Sequence, residues 1–164
     1  VATGVGYRLP LPMNPQGWIR YDFASGDSSS TDGRSNTFNQ LFPFGHYYLG
    51  FLDRVGRQNI HDINAQFTMQ PMPWITFITQ YHRFYLANNR DYLYDAAGAA
   101  TLRDVTGQSG SHVGDELDFR LNLHVSRHQD VLLGYYKMWS GEFLEKLRRG
   151  ADPDLFYVQY NFRF

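Results

Sequence analysis

The chain has 164 residues, a formal net charge of −1, no cysteine, and 17% Phe, Trp and Tyr. That charge leaves no global basic footprint for nucleic acid, and the missing cysteines exclude disulfides and thiolate metal sites. Mean hydropathy is −0.46, and no apolar run approaches the roughly 18 residues of a membrane-spanning helix.

Strand periodicity begins weakly over 1–9, where Val1, Thr3, Val5, Tyr7 and Leu9 alternate with small residues and Arg8. Over 17–25, Ile19, Tyr21 and Phe23 alternate with Arg20, Asp22 and Ala24. Over 59–70, Ile63, Ala65, Phe67 and Met69 oppose Asp62, Asn64, Gln66, Thr68 and Gln70. The stretch 73–87 reads as a strand from its β-branched and aromatic content. The clearest case is 114–126: Leu117, Phe119, Leu121, Leu123 and Val125 against Glu116, Asp118, Arg120, Asn122, His124 and Ser126. Period two of this kind marks a strand with two unlike faces. A sixth strand is expected over 129–140 and a seventh over 154–164. In the seventh, Phe156, Val158, Tyr160, Phe162 and Phe164 alternate with Tyr157, Gln159, Asn161 and Arg163. No helical stripe competes, although a short helical turn is expected near 46–56 or 142–149.

The connections add direction. "QPMP" and "SRHQ" are tight turns, whereas 26–58, 88–113 and 141–153 are long and rich in Gly, Ser, Asn and Asp. Short turns on one side and long loops on the other are the rhythm of an up-and-down outer-membrane β-barrel. The same alternation also describes a soluble β-sandwich with its apolar face buried. Three features favour the barrel: polar faces built from Asp, Asn, Gln, Arg and His; loop lengths that alternate by side; and aromatics near strand ends. Arg83 and Lys137 sit among apolar neighbours near the long-loop ends, where a cation costs only about 0–1 kcal/mol. Trp18 and Trp74 are expected at turn-side strand starts, either turned inward or displaced by a bulge, and Trp139 at a loop-side end. Single-chain bacterial barrels have even strand numbers, and an open sheet in lipid would leave unpaired backbone groups at several kcal/mol each. The expectation is therefore one segment, 1–164, forming the C-terminal part of a longer barrel with further strands upstream of Val1.

Four stretches carry a resemblance: "TFNQLFPFGHYYLGFLDRVGRQNIHD", "RFYLANNRDYLYDAAG", "GSHVGDELDF" and "GEFLEKLRRGADPDLFYVQYNFRF". In this order and spacing they resemble the alginate export family of outer-membrane porins, most clearly from Ser25 to Phe164. The resemblance implies a barrel of about eighteen strands, of which about seven are here. It also implies an outer-membrane location and a lumen of arginines and acids passing an anionic uronic-acid polysaccharide. Phe164 would be the terminal signal read by the barrel-assembly machinery. Lipid, lipopolysaccharide and further proteins of an outer-membrane complex are the other implied partners.

On the barrel reading, the lumen candidates are Arg20, Asp22, Asp62, Asn64, Gln66, Glu116, Asp118, Arg120, Asn122, His124, Gln159, Asn161 and Arg163. The lipid-facing candidates are Phe67, Met69, Leu117, Phe119, Leu121, Leu123, Val125, Phe156, Val158, Tyr160 and Phe162. Thirteen of the fifteen basic residues are Arg, whose planar fork suits carboxylates. Arg20, Arg120 and Arg163 are read either as a carboxylate ladder or as an ion-pair net with Asp22, Asp62, Glu116 and Asp118. One or two are expected to face substrate and the remainder to be paired. His61, His82 and His124 are expected as hydrogen-bonded wall residues sharing the lumen, not as metal ligands. "DSSSTDG" (Asp27 to Gly33) lacks the alternating ligands and final Glu of an EF-hand, leaving weak Ca²⁺ binding as its minor alternative and no other cofactor. Ser126 and His124 share a face, but no nucleophile elbow accompanies them, so no enzyme is expected. Gating is assigned to a long loop such as 88–113. The alternatives are a structural or partner-binding barrel without transport, and a soluble β-sandwich binding module.

Overall fold

The computed structural model describes residues 1–29 and 31–164. Seven strands form one antiparallel sheet: β1 (Ala2–Arg8), β2 (Gln16–Ala24), β3 (Ile60–Met72), β4 (Ile75–Leu86), β7 (His112–Ser126), β8 (Gln129–Ser140) and β9 (Asp154–Phe162). A small hairpin, β5 (Tyr92–Tyr94) and β6 (Ala100–Arg103), interrupts the connection between β4 and β7. It was not expected, because three- and four-residue strands are too short for a period to register. Every strand of the main sheet pairs with its neighbours in chain order. Among the described residues the sheet is open, with β1 paired only to β2 and β9 only to β8.

Two residues, Pro73 and Trp74, join β3 to β4, and two, Arg127 and His128, join β7 to β8. A register shift sits beside each turn, between Met69 and Met72 and between His124 and Ser126. Bulges of this kind increase local twist where a strand must reverse. Trp74 thus occupies a turn rather than a strand start, and its carbonyl accepts the His124 amide at 2.8 Å. Trp18 lies on the same side of the sheet as Gln66, with the polar residues. All three long connections emerge at the opposite end.

The apolar core caps that loop end and does not fill the sheet. Ala24, Ile60, Phe84, Leu86, Val113 and Met138 lie at the loop-side ends of their strands. Leu49, Val55, Leu93, Phe143 and Leu144 from the connections pack on them. Burying each large side chain there contributes about 1.5–3 kcal/mol. The helical turn forms at the second expected place, as α1 (Glu142–Lys146), while 46–56 remains non-helical. The Arg148 amide donates to Glu145 O at 2.9 Å and the Arg149 amide to Leu144 O at 2.9 Å. These two bonds close α1 as a Schellman motif, with Arg148 in the left-handed region at φ 54°.

Candidate functional site

Register turns single strands into rows. Arg20, Asn64, His82 and Glu116 are successive partners across β2, β3, β4 and β7. One step toward the turns, Trp18, Gln66, Gln80, Asp118 and Tyr136 form the next row. Asp22 and Asp62 pair one step toward the loops. Asn122 aligns with Gln159 through Leu132, and His124 with Asn161 through Asp130, at the turn end. Arg163 follows β9 and its Nη2 lies 3.0 Å from Asp130 Oδ2. The thirteen polar candidates therefore belong to one side of one sheet.

The other side carries the apolar set. Phe67, Met69, Leu117, Phe119, Leu121, Leu123, Phe156, Val158, Tyr160 and Phe162 alternate with the polar rows. Val125 falls in the bulge beside the β7–β8 turn and is exposed. Exposure is inverted relative to a soluble sheet. Phe119 is 39% exposed, Val158 59% and Phe156 68%, whereas Glu116, Asp118, Asp62 and His82 are each 0% exposed. His61 departs from expectation: it lies on the apolar side, where its ring packs on Phe23 and its Nδ1 is 2.6 Å from the Tyr21 hydroxyl. His82 and His124 remain on the polar side. His82 Nδ1 donates to Asp62 at 3.0 Å, and Asn64 Nδ2 donates to the same carboxylate at 2.7 Å.

A segment of the β2–β3 connection, near residues 45–57, lies over the polar rows. The Leu52 amide donates to Glu116 Oε1 at 2.9 Å. Gly50, at φ 86°, permits this approach, since a Cβ there would meet Glu116 Oε1 at 2.4 Å. Phe51 stacks on Tyr136 with centroids 4.7 Å apart. Arg57 Nη2 reaches Asp22 Oδ2 at 3.2 Å. The 88–113 connection folds on itself as the β5–β6 hairpin. Leu93 from that hairpin joins the loop-end core.

Three guanidinium groups converge beside this segment, and each stands over an aromatic ring. Arg20 lies 5.0 Å from the Trp18 centroid, Arg57 5.3 Å from Tyr48, and Arg120 4.6 Å from Phe51. Such cation–π contacts contribute about 0.5–2 kcal/mol and leave the N–H edge of the fork for other partners. Arg20 donates to Gln66 Oε1 at 3.0 Å and Arg120 to Gln80 Oε1 at 3.2 Å. The expected ion-pair net is thus mostly absent among the described residues: Arg163 is paired, while Arg20 and Arg120 bond to neutral amides. Asp22 takes its cation from the connection, Asp62 is held by His82 and Asn64, and Asp118 has no protein hydrogen-bond partner. The three arginines, with Trp18, Tyr47, Tyr48 and Gln66, line a cavity of about 470 Å³ on the polar side.

The family model described as "Alginate export" matches residues 1–158. The chain belongs to the alginate export family. No curated protein matches the chain.

Several residues of this family member's site escaped the sequence reading. Arg57, Tyr48, Phe51 and Gly50 fall in the long 26–58 connection, the last three within its expected helical turn near 46–56, and Gln80 falls in the strand read from composition over 73–87. A signal existed: "YYLGFLDRV" is too apolar for a hydrated loop and contains the buried Leu49, Phe51 and Val55. His124 Nδ1 lies 2.6 Å from Asp130 Oδ1, and Ser126 Oγ accepts the His128 amide at 3.2 Å, so these two side chains are engaged separately. Among the described residues no group of three His, Cys, Asp or Glu is arranged to hold a metal. In the Asp27–Gly33 stretch, Ser30 lies outside the described residues. Asp27 Oδ1 there accepts from Asn36 Nδ2 at 3.5 Å, and the Asp27 amide donates to Asp91 at 2.8 Å.

Proposed function

We propose that the chain is part of an outer-membrane β-barrel channel that passes an acidic, uronate-type polysaccharide by diffusion through a hydrated lumen. One observation carries this reading: the polar side of the sheet buries Asp62, Asn64, Glu116, Asp118 and Arg120, while the other side exposes Phe119, Phe156, Val158 and Phe162. A soluble sandwich needs the opposite arrangement. A hydrocarbon exterior and an aqueous interior need this one. Membership of the alginate export family supports the substrate class. The open β1 and β9 edges suit pairing with further strands of the same barrel, since free edges are costly in lipid. On this reading Phe164 is an assembly signal for the barrel-assembly machinery, and the apolar side meets lipid and lipopolysaccharide. Arg20, Arg57 and Arg120 are the groups that compensate substrate carboxylates, through charge-assisted N–H contacts.

Neutralising these three arginines together, as Arg20→Gln, Arg57→Gln and Arg120→Gln in the full-length protein, tests the reading in planar bilayers. Anion preference should fall by about tenfold or more, as loss of a few charge-assisted contacts implies. Unchanged selectivity would overturn it. The segment across the polar side favours a second reading, a plugged barrel serving as scaffold. That alternative gains if conductance stays nil even after the segment is released from Glu116.

A further inference from the structure

A second basic site lies beyond the polar rows, where the three long connections meet. Arg54 comes from the β2–β3 connection, and Arg148 and Arg149 follow α1. Together they rim a cleft of about 770 Å³, within the size range of ligand pockets. Leu93, Met138 and Leu144 form its floor and are at most 7% exposed. All three guanidinium groups are free of carboxylates among the described residues; the arginine ion pairs are those of Arg57, Arg83 and Arg163. Two acids also line the cleft, and both are engaged. Asp53 accepts the His46 amide at 2.7 Å and lies 2.9 Å from His46 Nδ1, and Asp95 accepts the Ala99 amide at 2.9 Å.

Placement narrows the ligand. Met138 is the register partner of Glu116, so the cleft opens on the polar side and not on the Phe119 side. Leu52 lines the cleft while its amide holds Glu116. A headgroup in a membrane around the apolar side faces the other surface. Arg148 also occupies the left-handed C′ position of the Schellman motif, where Gly is favoured. Its side chain is therefore kept at a place where the backbone prefers none.

We propose that this cleft is a loop-end binding station for the carboxylates of a uronate oligomer, separate from the arginines beside the sheet. Planar forks from two connections grip successive carboxylates, and the apolar floor takes the faces of the sugar rings. The ligand class rests on the channel reading above; the site itself does not. The test is a direct titration of a hexauronate into the full-length protein in detergent, which needs no conduction. The triple variant Arg54→Ala, Arg148→Gly, Arg149→Ala should bind about tenfold or more weakly. A neutral hexasaccharide should bind neither protein. Arg148→Gly alone should weaken binding and raise the thermal midpoint, because Gly relieves the left-handed strain, which excludes misfolding as the cause. Equal hexauronate affinity in wild type and triple variant, or equal binding of the neutral oligomer, overturns the station. So does tighter binding of lipid A phosphate than of the hexauronate in the same titration. Failure of the channel reading appears separately, as absent conductance in the bilayer measurement.

Discussion

The two sides of β7 are built from the same fifteen residues and live in opposite surroundings. Glu116, Asp118 and Arg120 are covered by protein, whereas Phe119, between Asp118 and Arg120 in the chain, is 39% exposed. On the polar side a connection folded back over the sheet supplies partners to Glu116 and Asp22, while Asp118 is left without a protein hydrogen bond. On the apolar side the sheet presents little more than shape and hydrocarbon. Burial here does not track hydrophobicity: the covered side of the sheet is the polar one. The apolar core is confined to the loop end.

The contrast breaks most severely where the polar side is driest. Asp62→Ala removes the acceptor of both His82 Nδ1 and Asn64 Nδ2. Two orphaned buried donors should cost about 2–6 kcal/mol, read as a lowered urea midpoint of the refolded full-length protein. On the other side, Phe119 lies at the middle of β7. Phe119→Arg there should cost about 2–4 kcal/mol in folding into lipid vesicles, while Val125→Arg near the turn should cost about 0–1 kcal/mol. Equal effects at the two depths would refute a lipid-facing surface. Arg83 and Lys137 illustrate the permissive end: Arg83 Nε is 3.6 Å from Asp115, and Lys137 donates to Asp152 O.

Gly50→Ala probes the junction of the two regions. A methyl at φ 86° is strained and would collide with Glu116. A loss of about 1–3 kcal/mol is expected, together with release of the segment and a larger single-channel conductance. Unchanged conductance with lowered stability would place the segment outside the conducting path. The smallest effect is at the loop end. Thr106 and Ser109 donate to Asp104 and hold its carboxyl well below the usual carboxylate range. A depressed folded-state value means its stabilisation is full above about pH 4 and is lost as the pH falls through the lowered value. Exchange protection at Thr106 and Ser109, taken relative to the intrinsic rate at each pH, should therefore hold at pH 5 and fall in strong acid, while the protection of the sheet amides does not follow this step.

Much of this was legible in the chain. Period two in 114–126 and 154–164 named both faces residue by residue, because a strand turns each successive side chain to the opposite side. Loop length named which end was which. The β5–β6 hairpin and the inward segment were not legible, since neither has a long enough repeat to declare itself. His61 was misplaced because it was grouped with His82 and His124 by residue type, although its position beside Asp62 puts it on the opposite side of the strand. A histidine packed on Phe23 and bonded to Tyr21 is satisfied on an apolar surface.

Alternation, turn chemistry and family motifs, all local properties, determined from sequence alone that this is a meander of seven two-faced strands in the alginate export family. Tertiary structure decided which strands' residues stand side by side, and so which arginines find a carboxylate. Register and loop return join residues as distant as Leu52 and Glu116, or Arg54 and Arg149. No local pattern encodes such pairings, because their free energy exists only once the sheet has formed.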